Sequence, residues 1–296
     1  MTRDHDVRLA DGRVLRTRDS GASDGDAAFL LHEPLGSRLV VDGLSATAID
    51  AGLRLMSYDR PGYGGSTPKP GRGVADAAAD VAAIADELGV DRFAVWGQSG
   101  GCPFALACAV LLADRVVGAA VVSPLAPYQG SGLDWFAGMM DDVAQLHRLA
   151  VAGPQELPPA LSQLAQTLTA TDPAQFIAFS RPTLPQPDQA ILDIGVVARL
   201  LDGMREGLAA GVEGAVEDEL ALVAPWGVDL AGVRVPVRVW SGEQDRDTPA
   251  SHARWLAGVI PDAELRLFAE EGHLSLVYGR GREVIDWLAE RLRRAR

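Results

Sequence analysis

Phe93-Ala94-Val95-Trp96-Gly97-Gln98-Ser99-Gly100-Gly101-Cys102-Pro103-Phe104 is the stretch on which the reading of this chain turns. The apolar run Phe93–Trp96 predicts a short buried strand, and Pro103 suits the first turn of a helix. The chain must therefore turn from strand to helix within Gly97-Gln98-Ser99-Gly100-Gly101. Such a turn forces its central residue into strained backbone angles. Glycines two before and two after it remove the Cβ atoms that would clash. The serine oxygen is left exposed at a helix N-terminus, where the helix dipole and the free N–H of Gly100 point. This is the nucleophile-elbow arrangement, with the Gly100 N–H as one oxyanion donor. A phosphate-binding loop fits less well, because no Lys-Ser/Thr pair follows and no GxGxxG register is present.

Strand and helix signals alternate outward from the elbow. Val7–Leu9 and Val14–Arg16 flank Asp11-Gly12 and predict a hairpin with a two-residue turn. Ala28–Leu31, Leu53–Tyr58 and Val116–Val122 read as further short buried strands, and Val74–Leu88 as a helix closed by Gly89. Strands alternating with helices imply a mostly parallel sheet with helices on both faces, an α/β fold. The alternation stops after Pro124. Residues 128–228 read as helices broken by prolines, after which strands return at Val235–Trp240 and Glu264–Phe268, and a last helix spans Arg282–Leu292. The predicted organisation is an α/β core over 1–127 and 229–296, with a helical cap over 128–228 inserted above the C-terminal strand edge.

A serine nucleophile needs a base. Five histidines are present: His5, His32, His147, His252 and His273. His273, in the loop Glu271-Gly272-His273 just after the strand ending at Phe268, can deliver an imidazole to the rim that carries Ser99. It also completes the chain order Ser…Asp…His that follows an elbow of this type. The orienting carboxylate is assigned to Asp245, in the turn Gly242-Glu243-Gln244-Asp245, over its rivals Asp247 and Glu243. The rate is expected to rise with pH through His273, near the ordinary imidazole value of about 6.5 or somewhat shifted from it.

These residues resemble the α/β-hydrolase superfamily, most of all its serine-hydrolase branch of esterases and prolyl-iminopeptidase-like enzymes. Gly97–Gly101 is joined by Tyr58-Asp59-Arg60-Pro61-Gly62-Tyr63-Gly64-Gly65-Ser66, similar to the family's DxxGxGxS loop. Gly242–Asp245 and Glu271-Gly272-His273-Leu274 match its acid and base loops. The resemblance implies an α/β-hydrolase fold and a triad of Ser99, Asp245 and His273. One loop departs. Where the family usually has HGxPG, this chain has His32-Glu33-Pro34-Leu35-Gly36, so Glu33 replaces a glycine and Pro34 takes the place of the second oxyanion donor. Proline has no N–H. Two outcomes are open: Leu35 donates after a shift in the loop, with Glu33 pointing to solvent, or the second donor is missing. Glu33, Pro34, Leu35, Gln98 and Gly100 are expected to line the pocket, and Cys102 to pack as a small residue.

Composition narrows the partners. The 296-residue chain has 48% hydrophobic and 23% charged residues, as a globular protein should. A net charge of −13 argues against a broad nucleic-acid-binding face. The two cysteines, Cys102 and Cys108, lie six apart in one predicted helix, on different faces, so no bridge is expected. No apolar run approaches a membrane span and the N-terminus, MTRDHD, is polar with no apolar signal core, so a cytoplasmic address is the default. No cofactor and no metal are expected, the partner is a small-molecule substrate, and a homo-oligomer is left open. The expected reaction is hydrolysis of a carboxylic ester, lactone or related acyl compound. The alternative is a non-hydrolytic cyclisation, elimination or C–C cleavage on the same scaffold, motivated by the altered loop. Acidic residues such as Asp134, Asp141, Glu217 and Asp218 could instead receive an amino terminus.

Overall fold

The computed structural model describes residues 2–296. Its strands are β1 (Arg3–Arg8), β2 (Val14–Gly21), β3 (Asp26–Leu31), β4 (Leu53–Tyr58), β5 (Phe93–Gln98), β6 (Val116–Val122), β7 (Val237–Gly242) and β8 (Glu264–Phe268). They form one eight-stranded sheet in the order β1-β2-β4-β3-β5-β6-β7-β8. β1 and β2 pair antiparallel, as do β2 and β4, and every other neighbour is parallel. The helices are α1 (Ser45–Ala51), α2 (Asp76–Glu87), α3 (Cys102–Leu111), α4 (Asp141–Ala152), α5 (Leu157–Ala170), α6 (Pro173–Ser180), α7 (Gln186–Ile191), α8 (Ile194–Gly207), α9 (Glu213–Val223), α10 (Ala250–Val259), α11 (His273–Gly279) and α12 (Gly281–Arg294).

The central strands are apolar on both faces because both faces are covered. Phe29 and Leu31 of β3 and Phe93 and Val95 of β5 pack with α2, α3 and α10. Their neighbours Ala28, Leu30, Ala94 and Trp96 pack on the other side with α1 and α12. The segment between β6 and β7 holds α4 to α9. It forms two small apolar clusters of its own, and each takes in residues from outside the segment: Tyr63 and Leu35 in one, Leu274 in the other.

The hairpin differs from its predicted form. The ladder runs to Arg8–Val14, and the Leu9 N–H still donates to the Arg13 carbonyl at 2.8 Å, so three residues, 10–12, close the hairpin rather than two. The Gly12 N–H donates to the Leu9 carbonyl at 3.0 Å and Gly12 has φ +88°, the left-handed glycine of a three-residue hairpin loop.

Candidate functional site

Close packing dictates the elbow. A Cβ on Gly97 would sit 2.4 Å from the Cys102 Cα, and one on Gly101 would sit 2.3 Å from the Leu31 carbonyl oxygen. Only glycine lets α3 start this close to β5 and β3. Ser99, between them, has φ +50°, a left-handed conformation that a non-glycine residue adopts only where its surroundings enforce it. Gln98 is buried beside it. The Cys102 thiol is buried, donates to the Val122 carbonyl at 3.4 Å, and is pushed well up by burial, which suits the packing role expected of it.

Ser99 and His273 line one cavity of about 340 Å³, roofed by residues of α4, α5, α6, α8 and α9. His273 Nδ1 lies 2.9 Å from Asp245 Oδ2 and 3.1 Å from Oδ1. Asp245 also accepts the backbone N–H groups of Asp247 (2.9 Å) and Thr248 (2.8 Å). Burial alone would raise the Asp245 pKa. Its contact with His273 and these donated hydrogen bonds outweigh burial and hold it below the ordinary carboxylate value. With Nδ1 occupied by Asp245, Nε2 is the ring nitrogen left for chemistry. Asp247, the rival acid, lies on that other side, with Oδ2 3.9 Å from Nε2. Burial pushes Asp247 up to about 6. Burial also disfavours the imidazolium form of His273, but the carboxylates of Asp245, Asp247 and Asp188 more than offset it and raise His273 to about 10. The expected titration near the ordinary value is therefore corrected. Glu243, the other rival, pairs with Arg254 at the surface.

The remaining histidines are occupied elsewhere or distant. His32 shares a hydrogen bond with the Glu33 carbonyl at 2.7 Å, and its Nε2 accepts the Arg60 N–H at 3.3 Å. His252 is buried between the Ala126 N–H (3.1 Å) and the Trp135 carbonyl (2.9 Å), and burial lowers it to about 4. His5 lies on β1, far from the cavity lining. His147 does reach the cavity, with Nδ1 2.7 Å from Glu219 Oε2, a pair that sequence reasoning missed because the two sit 72 positions apart on α4 and α9.

The loop after β3 bears on the two outcomes left open for it. Glu33, Pro34 and Leu35 line the cavity with Gln98 and Gly100. The Pro34 ring lies against Gly100, whose Cβ would be 2.7 Å from two of its carbons. Leu35 has φ +67°, and its N–H points to the Tyr63 hydroxyl at 3.4 Å. The Leu35 N–H is thus directed at Tyr63, and Pro34 has no N–H to give. Nor does Glu33 face solvent: its Oε2 is enclosed, without a hydrogen-bond partner among the described residues, and burial raises its pKa.

The 58–66 motif buttresses this loop. Asp59 accepts the Arg38 N–H at 2.8 Å and the Gly65 N–H at 3.1 Å. Arg60 donates to the His32 carbonyl at 2.5 Å and pairs with Asp218 of α9. Asp218 also accepts from the Tyr63 hydroxyl at 2.8 Å and lies 2.6 Å from Arg72. Both arginines outweigh burial and hold it far below the usual carboxylate range. Asp218 is thus committed to arginine, not free to receive an amino terminus, and Glu217 accepts the Gly71 N–H at the surface. Asp218→Ala would leave Arg60 buried without its counter-charge. Unfolding in urea should show a stability loss of about 3–5 kcal/mol; a loss below about 1 kcal/mol would contradict the role given to the pair.

Comparison with known proteins agrees with this architecture. A curated relative, the dihydrolipoyllysine-residue acetyltransferase component of the acetoin cleaving system of Cupriavidus necator, is 31% identical over 271 residues, covering 90% of this chain. The chain spans 64% of that relative's length. The 2-hydroxy-6-oxo-6-phenylhexa-2,4-dienoate hydrolase of Comamonas testosteroni is 26% identical over 270 residues, covering 85% of this chain and 82% of its own. Among solved structures, a thermophilic esterase from Thermogutta terrifontis superposes with a TM-score of 0.70 at 20% identity, over 99% of this chain and 98% of the esterase, a likeness of fold. The family model for the alpha/beta hydrolase fold matches residues 35–279, so the chain belongs to the alpha/beta hydrolase fold family.

Proposed function

We propose that this chain is a serine hydrolase that cleaves an uncharged carboxylic ester, lactone or related acyl compound through an acyl-enzyme. The observation that carries this reading is Ser99, held at φ +50° at a strand–helix turn, in one cavity with a histidine whose Nδ1 is bound to a buried carboxylate. Ser99 Oγ attacks the carbonyl carbon while His273 Nε2 takes its proton. The Gly100 N–H supports the oxyanion, His273 returns the proton to the departing alkoxide, and water then releases the acyl group by the same two transfers. Asp245 keeps the imidazole in the required tautomer and stabilises its charged form.

The substrate class follows from the walls. Three leucines of α5, Leu200 and Met204 of α8, and Phe176 and Phe179 are among its apolar walls, and Glu33, Asp142, Glu219 and Asp247 are the carboxylates. Among the described residues no lysine or arginine lines this cavity. An anion such as the dienoate named for the Comamonas relative would meet like charge here.

Turnover of p-nitrophenyl butyrate, with the uncatalysed rate subtracted, tests the reading. His273 must lose a proton to act as base, and that proton is held more tightly than in a free imidazole. kcat/KM should therefore still be rising above about pH 8. A profile already flat by about pH 7 would contradict the upward shift of His273 and leave it a base near the ordinary imidazole value. A second reading, a non-hydrolytic or C–C-cleaving reaction, is favoured by the missing second donor at Pro34 and Leu35, since one such donor is worth about 10²–10³ in acyl-transfer rate. Labelling of Ser99 by a fluorophosphonate without turnover of any ester would support that second reading instead.

A further inference from the structure

The base has a partner outside the three candidate residues. His273 opens α11, and a helix leaves its first N–H groups without partners inside the helix. The residue before it is Gly272, which has no side chain with which to cap them. The cap comes instead from Asp188 on α7, 85 positions away. Asp188 Oδ2 accepts the His273 N–H at 3.0 Å, and Oδ1 accepts the Ser275 N–H at 2.8 Å. The carboxylate is buried and the fit is tight: a Cβ on Gly272 would come within 2.5 Å of both its oxygens. The next residue, Leu274, packs into the cluster of Leu192, Val197 and Leu201 from the helical segment. The turn that carries the imidazole is therefore held on its polar and its apolar side by residues inserted between β6 and β7.

We propose that Asp188 is a positioning residue for His273, so that the base is set for reaction only while α7 is seated against α11. This rests on the hydrolase reading above. Nothing in a merely stable fold requires a carboxylate from this segment at the backbone of the base. An ordinary side-chain cap on residue 272 would take the Ser275 N–H and leave α7 free. Using Asp188 instead makes the geometry of the base depend on the segment that roofs the cavity. The charge acts on the imidazole too. His273 faces Asp245 and Asp247 from the turn after β7, Glu33 from the loop after β3, and Asp188 from α7. Asp188 itself faces His273 and Asp245, besides the two N–H groups it accepts.

Two variants and one background test the proposal. Asp188→Ala removes both acceptors. Asp188→Asn keeps the shape and one acceptor but loses the charge. Misplacing a reacting group by about 1 Å costs about 10²-fold in rate, so Asp188→Ala should lower kcat for p-nitrophenyl butyrate by about that factor, with a smaller change in KM. In Asp188→Asn the rising limb of kcat/KM should move to lower pH, because one of the carboxylates that hold the His273 proton is gone. A role in packing alone would lower activity without moving that limb. In a His273→Ala background Asp188→Ala should cost almost nothing further, since the two act as one unit. Titration of the His273 imidazole by NMR gives a reading independent of turnover, and it too should fall in Asp188→Asn. Unchanged kcat in Asp188→Ala, an unmoved titration in Asp188→Asn, or an undiminished loss in the His273→Ala background would each overturn the proposal. Failure of the hydrolase reading is separate: there, His273→Ala alone would leave esterase activity intact, while the NMR titration still reports on Asp188.

Discussion

Ser99→Ala is expected to lower kcat/KM for p-nitrophenyl butyrate by about 10⁴-fold or more, with circular dichroism and thermal unfolding close to those of the parent chain. The two halves of this expectation have separate causes. Activity collapses because alanine has no oxygen with which to form the acyl-enzyme, and the Cys102 thiol cannot stand in. Cys102 is buried, with its thiol directed at the Val122 carbonyl on the far side of the turn from the cavity lining. The fold survives because the conformation at residue 99 is imposed by its neighbours: Gly97 and Gly101 pack against Cys102 and Leu31 whatever side chain residue 99 carries. Alanine tolerates φ +50° about as poorly as serine, so no strain is relieved or added. A fluorophosphonate should label the parent chain and not the variant. Wild-type turnover in Ser99→Ala would remove the nucleophile from the mechanism, and labelling that persisted would place it elsewhere.

How much of this was legible in the sequence depends on how local each feature is. The elbow was readable because its requirement is local: a strand, a tight turn and a helix within a dozen residues leave only glycine at 97 and 101. The buried strands were readable for the same reason, and Leu53–Tyr58 and Val116–Val122 run where the apolar runs predict; Glu264–Phe268, an edge strand without a buried residue, also falls where it was read. Strand order was not readable, since nothing in β3 or β4 states that β4 lies between β2 and β3. The start of α11 at His273 was hidden because its cap is Asp188, in a different part of the chain, so the usual local signal is absent. The choice left open at Leu35 was not readable because the course of its N–H depends on Tyr63, whose hydroxyl donates to Asp218 of α9. The sequence shows that Pro34 lacks a donor; it does not show where the next N–H points.

The acid is the sharper test, because two aspartates flank the same imidazole. Asp245→Asn should reduce kcat by about 10⁴-fold, while Asp247→Asn should leave most of it. The difference lies in which ring nitrogen each carboxylate meets. Asp245 faces Nδ1 and is itself pinned by the Asp247 and Thr248 N–H groups and, at 3.1 Å, by the Thr248 hydroxyl. An amide there keeps the shape, but it can offer an N–H where an acceptor is needed. The imidazole would then carry its proton on Nε2, the nitrogen that must accept the proton of Ser99. Asp247 has no such hold on the tautomer, since its Oδ2 is 3.9 Å from Nε2. What it does supply is charge, which helps keep the imidazole protonated. Asp247→Asn should therefore release the base at lower pH: the rising limb of kcat/KM moves down, and activity near neutrality increases relative to its alkaline plateau. Steady-state profiles of both variants between about pH 6 and pH 10 separate the two roles. Equal losses, or a deeper loss in Asp247→Asn, would transfer the orienting role to Asp247 and leave Asp245 as the carboxylate that ties down its own turn.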